Sequence, residues 1–159
     1  MKSKAEAIRV EVCNRQAELD VPRRRLAAAV RRVLKEAAIH EAQVSLAVVD
    51  DPAIHDLNRE FLRHDYPTDV LSFLLERLPS GLEGEIIVSA QTAAAEAGRY
   101  GWSAGEELLL YVIHGALHLV GYDDHSRQQR AEMRAREQAH LQHWGIQVRH
   151  VPRRPTKNP

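Results

Sequence analysis

Residues 103 to 121, SAGEELLLYVIHGALHLVG, read as a helix that is apolar on nearly every side yet carries two histidines four residues apart. A helix without a polar face must be buried in the centre of its domain, with other elements arranged around it. Its ends are marked: Ser103 and Glu106 have the spacing of a capping box, and Gly121 supplies a residue able to turn the chain back. Nowhere does the chain hold about 18 uninterrupted apolar residues, so this run belongs to a domain core rather than to a membrane.

The remainder supplies a sheet for that helix to pack on. Alternation at Ile8, Val10 and Val12 predicts a half-buried strand, and β-branched VSLAVVD at 44–50 predicts a more buried one. VLSFLL at 70–75 and EIIVS at 85–89 predict two more, separated by a loop at 79–81. Between them, Leu26, Val30, Val33, Leu34 and Ala37 recur at helical spacing after Pro22, with Arg23, Arg24, Arg25, Arg31, Arg32 and Lys35 outward, a solvated face in preference to an RNA contact. A second helix follows, with Asp51 as its N-cap and Pro52 in its first turn, ending near His64. Ser89 caps a short helix to about Tyr100, and Ser126 with Gln129 caps a polar one carrying Met133 and Leu141. These elements make one domain over residues 1–148, with a four-stranded sheet packed against the central helix. The tail at 149–159 is basic and proline-containing, and continued helix there is not expected.

Two imidazoles one helical turn apart project from one face of the central helix. Buried neutral imidazoles need partners, and one metal ion satisfies an acceptor on each. His125, four residues past Gly121, can approach from another direction, so His114, His118 and His125 form a candidate metal set with a fourth position open. Three imidazoles and no thiolate favour zinc in a catalytic rather than a closed structural site, although imidazole also suits nickel, copper and iron. The pattern is close to the HExxH motif of zinc proteases, but position 115 is glycine, so the glutamate that serves those enzymes as general base is missing. Peptide hydrolysis is correspondingly disfavoured.

Composition narrows the setting. Lys plus Arg equals Asp plus Glu at 22 each, so overall charge names no partner. The single Cys13 can form no internal disulfide, and the N-terminus has no apolar stretch behind its lysines, which together suit a cytoplasmic protein.

HGALHLVGYDDH at 114–125 resembles the signature of the YbeY family of bacterial endoribonucleases, approximately HGxLHLxGYDH. LNREFLRHDYPTDVLSF at 57–73 is similar to that family's asparagine helix and PTDVLSF strand, and LEGEIIVSAQTA at 82–93 to its LGDIxIS segment. The resemblance implies a zincin-like α+β domain with a mixed sheet, holding one Zn2+ and hydrolysing single-stranded RNA. It further implies maturation of the small-subunit ribosomal RNA 3′ end and ribosome quality control, with small ribosomal subunit proteins as partners and no nucleotide cofactor.

Two departures from the family pattern matter. Six residues rather than five separate His118 from His125, because Asp123 and Asp124 stand where one aspartate is expected. Either His125 reaches the ion through a longer turn, the preferred reading since imidazole binds zinc well, or Asp124 takes the third place as an oxygen ligand. An aspartate left over could accept a ligand's second ring N–H or cap the next helix. The family's catalytic arginine falls by register at Leu62, so Arg63, one residue on, is the catalytic candidate that would stabilise developing charge on phosphorus. Asn58, Thr68, Asp69 and Ser72 could line the same groove. A noncatalytic, zinc-stabilised ribosome-assembly factor and a zincin-type protease are the rival readings.

Overall fold

The computed structural model describes residues 7–62 and 69–146. Four strands, β1 (Ile8–Asn14), β2 (Glu41–Val49), β3 (Val70–Leu78) and β4 (Gly81–Ser89), form one sheet in the order β1-β2-β4-β3. The first, second and fourth run parallel, and β3 lies antiparallel at the edge. The expected mixed, four-stranded α+β architecture is therefore what the chain adopts. Among the described residues five helices accompany it: α1 (Arg23–Glu36), α2 (Asp51–Leu62), α3 (Ala90–Tyr100), α4 (Ala104–Leu119) and α5 (Arg127–His143). Among the described residues no helix is long and apolar enough to cross a membrane.

The central helix is α4. From Glu107 to Leu119 every residue is buried except His114 and His118, so the two imidazoles are the only partly open positions in its last three turns. The capping box at Ser103 and Glu106 is present. At the other end, Tyr122 N–H reaches the Leu117 carbonyl and Gly121 N–H the His118 carbonyl, with Gly121 at φ 108°. That is a Schellman closure, and it needs a residue that tolerates positive φ. The helix lies close on the sheet at Gly115, whose carbonyl accepts the Ser72 hydroxyl at 3.1 Å. A Cβ at position 115 would sit 2.7 Å from Ile86 Cγ2 and 3.2 Å from Val70 Cγ2. Val49, Ile54, Leu71 and Ile87 make a second, smaller apolar cluster under α2.

The sequence expectations are met for element type and order, with differences at the ends. β3 and β4 extend beyond 70–75 and 85–89 to meet at a Pro79–Ser80 turn, because pairing with each other, and of β4 with β2, carries their ends along. A Cβ at Gly81 would lie 1.6 Å from the Glu41 carbonyl oxygen, so only glycine lets β4 start beside β2. The α2 cap is Asp50 rather than Asp51: Asp50 Oδ1 accepts the Ala53 N–H at 2.9 Å. Asp51 instead accepts the hydroxyls of Ser89 and of Thr92, the latter at 2.8 Å, and so ties the start of α2 to the start of α3.

Few apolar groups hold α5, which buries Met133, Glu137, His140 and Leu141. Polar contacts complete its docking onto α1. Glu36 Oε2 lies 2.5 Å from Arg136 and 2.9 Å from His140 Nε2. This clamp fixes the rotation of α5 and with it the direction in which Glu137 points.

Candidate metal centre

His114 and His118 turn their Nε2 atoms toward each other, 3.1 Å apart, with the rings nearly perpendicular at 82°. Asp124 brings Oδ2 to 3.5 Å from each of these nitrogens. The three atoms thus form a triangle with edges of 3.1, 3.5 and 3.5 Å. Donors held by bonds of about 2.0–2.1 Å at tetrahedral angles stand about 3.3–3.4 Å from one another, so the triangle has the size of one face of a zinc coordination shell. These residues could hold a metal ion.

His125 is not in that group. Its ring is 77% exposed and its Nε2 faces Asp123 Oδ1 at 3.1 Å. The loop is fixed in this register by four hydrogen bonds. Asp123 Oδ1 accepts the Asp124 N–H, Gln129 Oε1 accepts the His125 N–H, and the Arg130 guanidinium donates to the carbonyls of both Asp124 and His125. Asp124 also belongs to a second, more exposed acid and imidazole group with Asp123 and His125. Arg63 and Thr68 lie outside the described residues, as does the tail at 149–159.

Behind the pair stands Glu137, 2% exposed, whose Oε2 is 2.6 Å from His114 Nδ1. A carboxylate on Nδ1 keeps the proton there, so that the neutral ring offers its Nε2 lone pair to an ion at the triangle. Sequence reading assigned that role to Asp123 or Asp124 and missed Glu137. The signal was present: Met133, Glu137, His140 and Leu141 share the inward stripe of α5, and an acid on an inward stripe needs a partner.

The electrostatics call for a cation. Burial alone would lower the His114 pKa, but the hydrogen bonds to Asp124 and Glu137, with the charges of Glu137 and Asp69, raise it to about 9. Asp124 is held well below the usual carboxylate range by its bonds to His114 and His118. In the metal-free protein a proton on His114 supplies the positive charge that an ion would otherwise provide. Its folded-state pKa lies above the ordinary 6.5, so its stabilising contribution is complete below pH 6.5 and fades as pH rises through about 9. Metal binding must displace that proton, so apparent affinity should rise about tenfold per pH unit across the same window. Chelator-competition titrations at several pH values, paired with thermal melts of the metal-free form, check both trends, and a flat affinity profile would contradict them.

Replacing Glu137 by Gln keeps the shape but removes the charge. Metal affinity should fall about 10- to 100-fold with the fold intact, as is usual when the outer partner of a ligating histidine is lost. Competition titration and circular dichroism read the two effects separately.

The fold and the site together define a small α+β protein with an ion-sized triangle of donors on and just beyond a buried helix. The family model described as Endoribonuclease YbeY matches residues 11–145, and the chain belongs to that family. A Rhodopirellula baltica protein named Endoribonuclease YbeY is 44% identical over 132 residues, covering 82% of this chain and 68% of its own. A Moorella thermoacetica protein of the same name is 43% identical over 149 residues, covering 84% of this chain and 95% of its own. The solution structure of TM1509 from Thermotoga maritima shares the fold at TM-score 0.55 and 24% identity, covering 86% of this chain and 92% of that one.

Proposed function

We propose that this chain is a zinc-dependent endoribonuclease specific for single strands, maturing the 3′ end of small-subunit ribosomal RNA and serving ribosome quality control in the cytoplasm. The observation that carries the reading is the triangle of His114 Nε2, His118 Nε2 and Asp124 Oδ2, found in a chain that belongs to the YbeY family. Residues 1–148 act as one metal-dependent hydrolase domain, residues 149–159 as a basic tail, and small ribosomal subunit proteins are the partners.

His114, His118 and Asp124 hold the ion, with His125 the alternative third donor. When bound, zinc supplies a Lewis acid that polarises a phosphodiester and acidifies water. The protein's own groups do the rest. Glu137 fixes the His114 tautomer, the buried body of α4 shuts solvent from one side, and Asp69 adds negative charge felt at His114. Arg63 is the group proposed to stabilise charge developing on the phosphate oxygens.

The test combines elemental analysis of the purified protein with cleavage of a ribosomal RNA fragment, single-stranded and duplex, before and after chelation. One zinc per chain, cutting confined to single strands, and loss on chelation with recovery on zinc addition are expected. Cutting that survives complete chelation would overturn the zinc mechanism. A folded, zinc-loaded protein that cuts no RNA would leave the assembly-factor reading in its place.

A further inference from the structure

The chain has no net charge, but its charges are sorted. Of the fifteen Lys and Arg among the described residues, ten lie on α1 and α5, which hold only three acids. On α1 several are engaged: Arg23 on the Val12 carbonyl, Arg25 on Trp144 and Arg32 on Glu36. On α5 the arrangement is different. Arg127, Arg130 and Arg134 fall within an arc of about 60° on one flank of the helix. Like charges at spacings of three and four residues repel, and no acid is interposed on that flank. Arg130 is occupied with the Asp124 and His125 carbonyls, while Arg127 and Arg134 are exposed and make no ion pair or hydrogen bond among the described residues.

This flank borders the metal centre. Arg130 holds the loop that carries Asp124, and Glu137, seven residues on and in line with Arg130, bonds His114. The capping box of Ser126 and Gln129 already closes the helix end, so what is on offer is a row of guanidinium groups rather than the end itself. Guanidinium groups with no carboxylate to pair with suit the phosphates of a nucleic acid strand.

We propose that Arg127 and Arg134 form a phosphate-binding rail beside the metal centre, gripping the backbone of the RNA strand next to the bond to be cut. The inference rests on the endoribonuclease reading for its ligand and adds a binding site along α5. The rail confers affinity for a strand rather than for a base sequence, and so acts on substrates long enough to reach it.

The test is the double variant Arg127→Gln/Arg134→Gln, which keeps helix-forming residues and leaves Arg130 on its loop. Binding of the zinc-loaded protein to a cleavage-resistant single strand, a 2′-O-methyl phosphorothioate oligonucleotide, is followed against salt by fluorescence anisotropy. Removing two phosphate contacts should flatten the slope of log K against log salt by about 1.4 and weaken binding on the order of tenfold at moderate salt. KM for a long RNA should rise, kcat/KM for a dinucleotide should hold, and the melting temperature should not fall. The matched pair Arg24→Gln/Lys35→Gln on the exposed face of α1 should change none of these. Equal losses from both pairs, or no loss from the α5 pair, would overturn the rail and leave the function reading standing. A parent that binds strands but cuts none overturns the function reading, and a flattened slope in the α5 variant would still uphold the rail.

Discussion

Asp124→Ala should lower zinc affinity by more than about 100-fold, beyond what loss of an outer partner costs, whereas His125→Ala should leave it nearly unchanged. The contrast follows from position alone. Asp124 Oδ2 lies 3.5 Å from both Nε2 atoms, while the His125 ring stands 77% exposed against Asp123. Cleavage of single-stranded RNA should follow metal occupancy, so the Asp124 variant loses activity at limiting zinc and regains part of it at high zinc. A third variant closes the argument: Asp124→His should keep the site, since imidazole is at least as good a zinc donor as carboxylate. The converse result, metal lost in His125→Ala and retained in Asp124→Ala, would mean that the loop rearranges around the ion and that three imidazoles form the set. Competition titration with a chromophoric chelator separates the two outcomes directly.

The difficulty of choosing between these neighbours from sequence has a physical origin. Helix α4 was legible because its signals are local: an all-round apolar run, a capping box and a terminal glycine, each fixed by residues within one or two turns. The direction of His114 and His118 followed from helical geometry. Beyond Gly121 no periodicity governs side-chain direction, and a single residue decides which group faces back toward the helix. That choice is made by the Schellman closure and by contacts from Gln129 and Arg130 on the next helix. Glu137 was hidden for a related reason. Its inward position could be read from the α5 stripe, but its pairing with His114 depends on how α5 is rotated, which the Glu36 clamp with Arg136 and His140 sets across 100 residues of sequence. Strand identities were legible from β-branched runs, whereas strand ends were not. The outer parts of β3 and β4 interleave Glu76, Arg77 and Glu83 with Leu78 and Leu82, and become strand by pairing with each other and, for β4, with β2.

Gly115→Glu would write the zinc-protease motif HExxH into this helix, yet the expected product is a severely destabilised protein rather than a peptidase. The direction of the Cβ at 115 decides the matter. It points into the sheet, 2.7 Å from Ile86 Cγ2, 3.0 Å from Ser72 Oγ and 3.2 Å from Val70 Cγ2, and away from solvent. Alanine there should already cost about 1–3 kcal/mol by overpacking, despite its better helix propensity. A glutamate adds more bulk and a buried charge with no partner, and should cost more than about 4 kcal/mol, a large share of the stability of a domain this size. Thermal melts of Gly115→Ala and Gly115→Glu should therefore show graded loss, with no peptide cleavage from either. A stable Gly115→Glu protein that binds zinc and cuts peptides would instead mean that α4 can turn on its axis, which its close approach to Ser72 and Ile86 opposes. On this geometry the glycine is what lets the helix lie flat on the sheet. The same contact holds α4 in place behind the partly open His114 and His118.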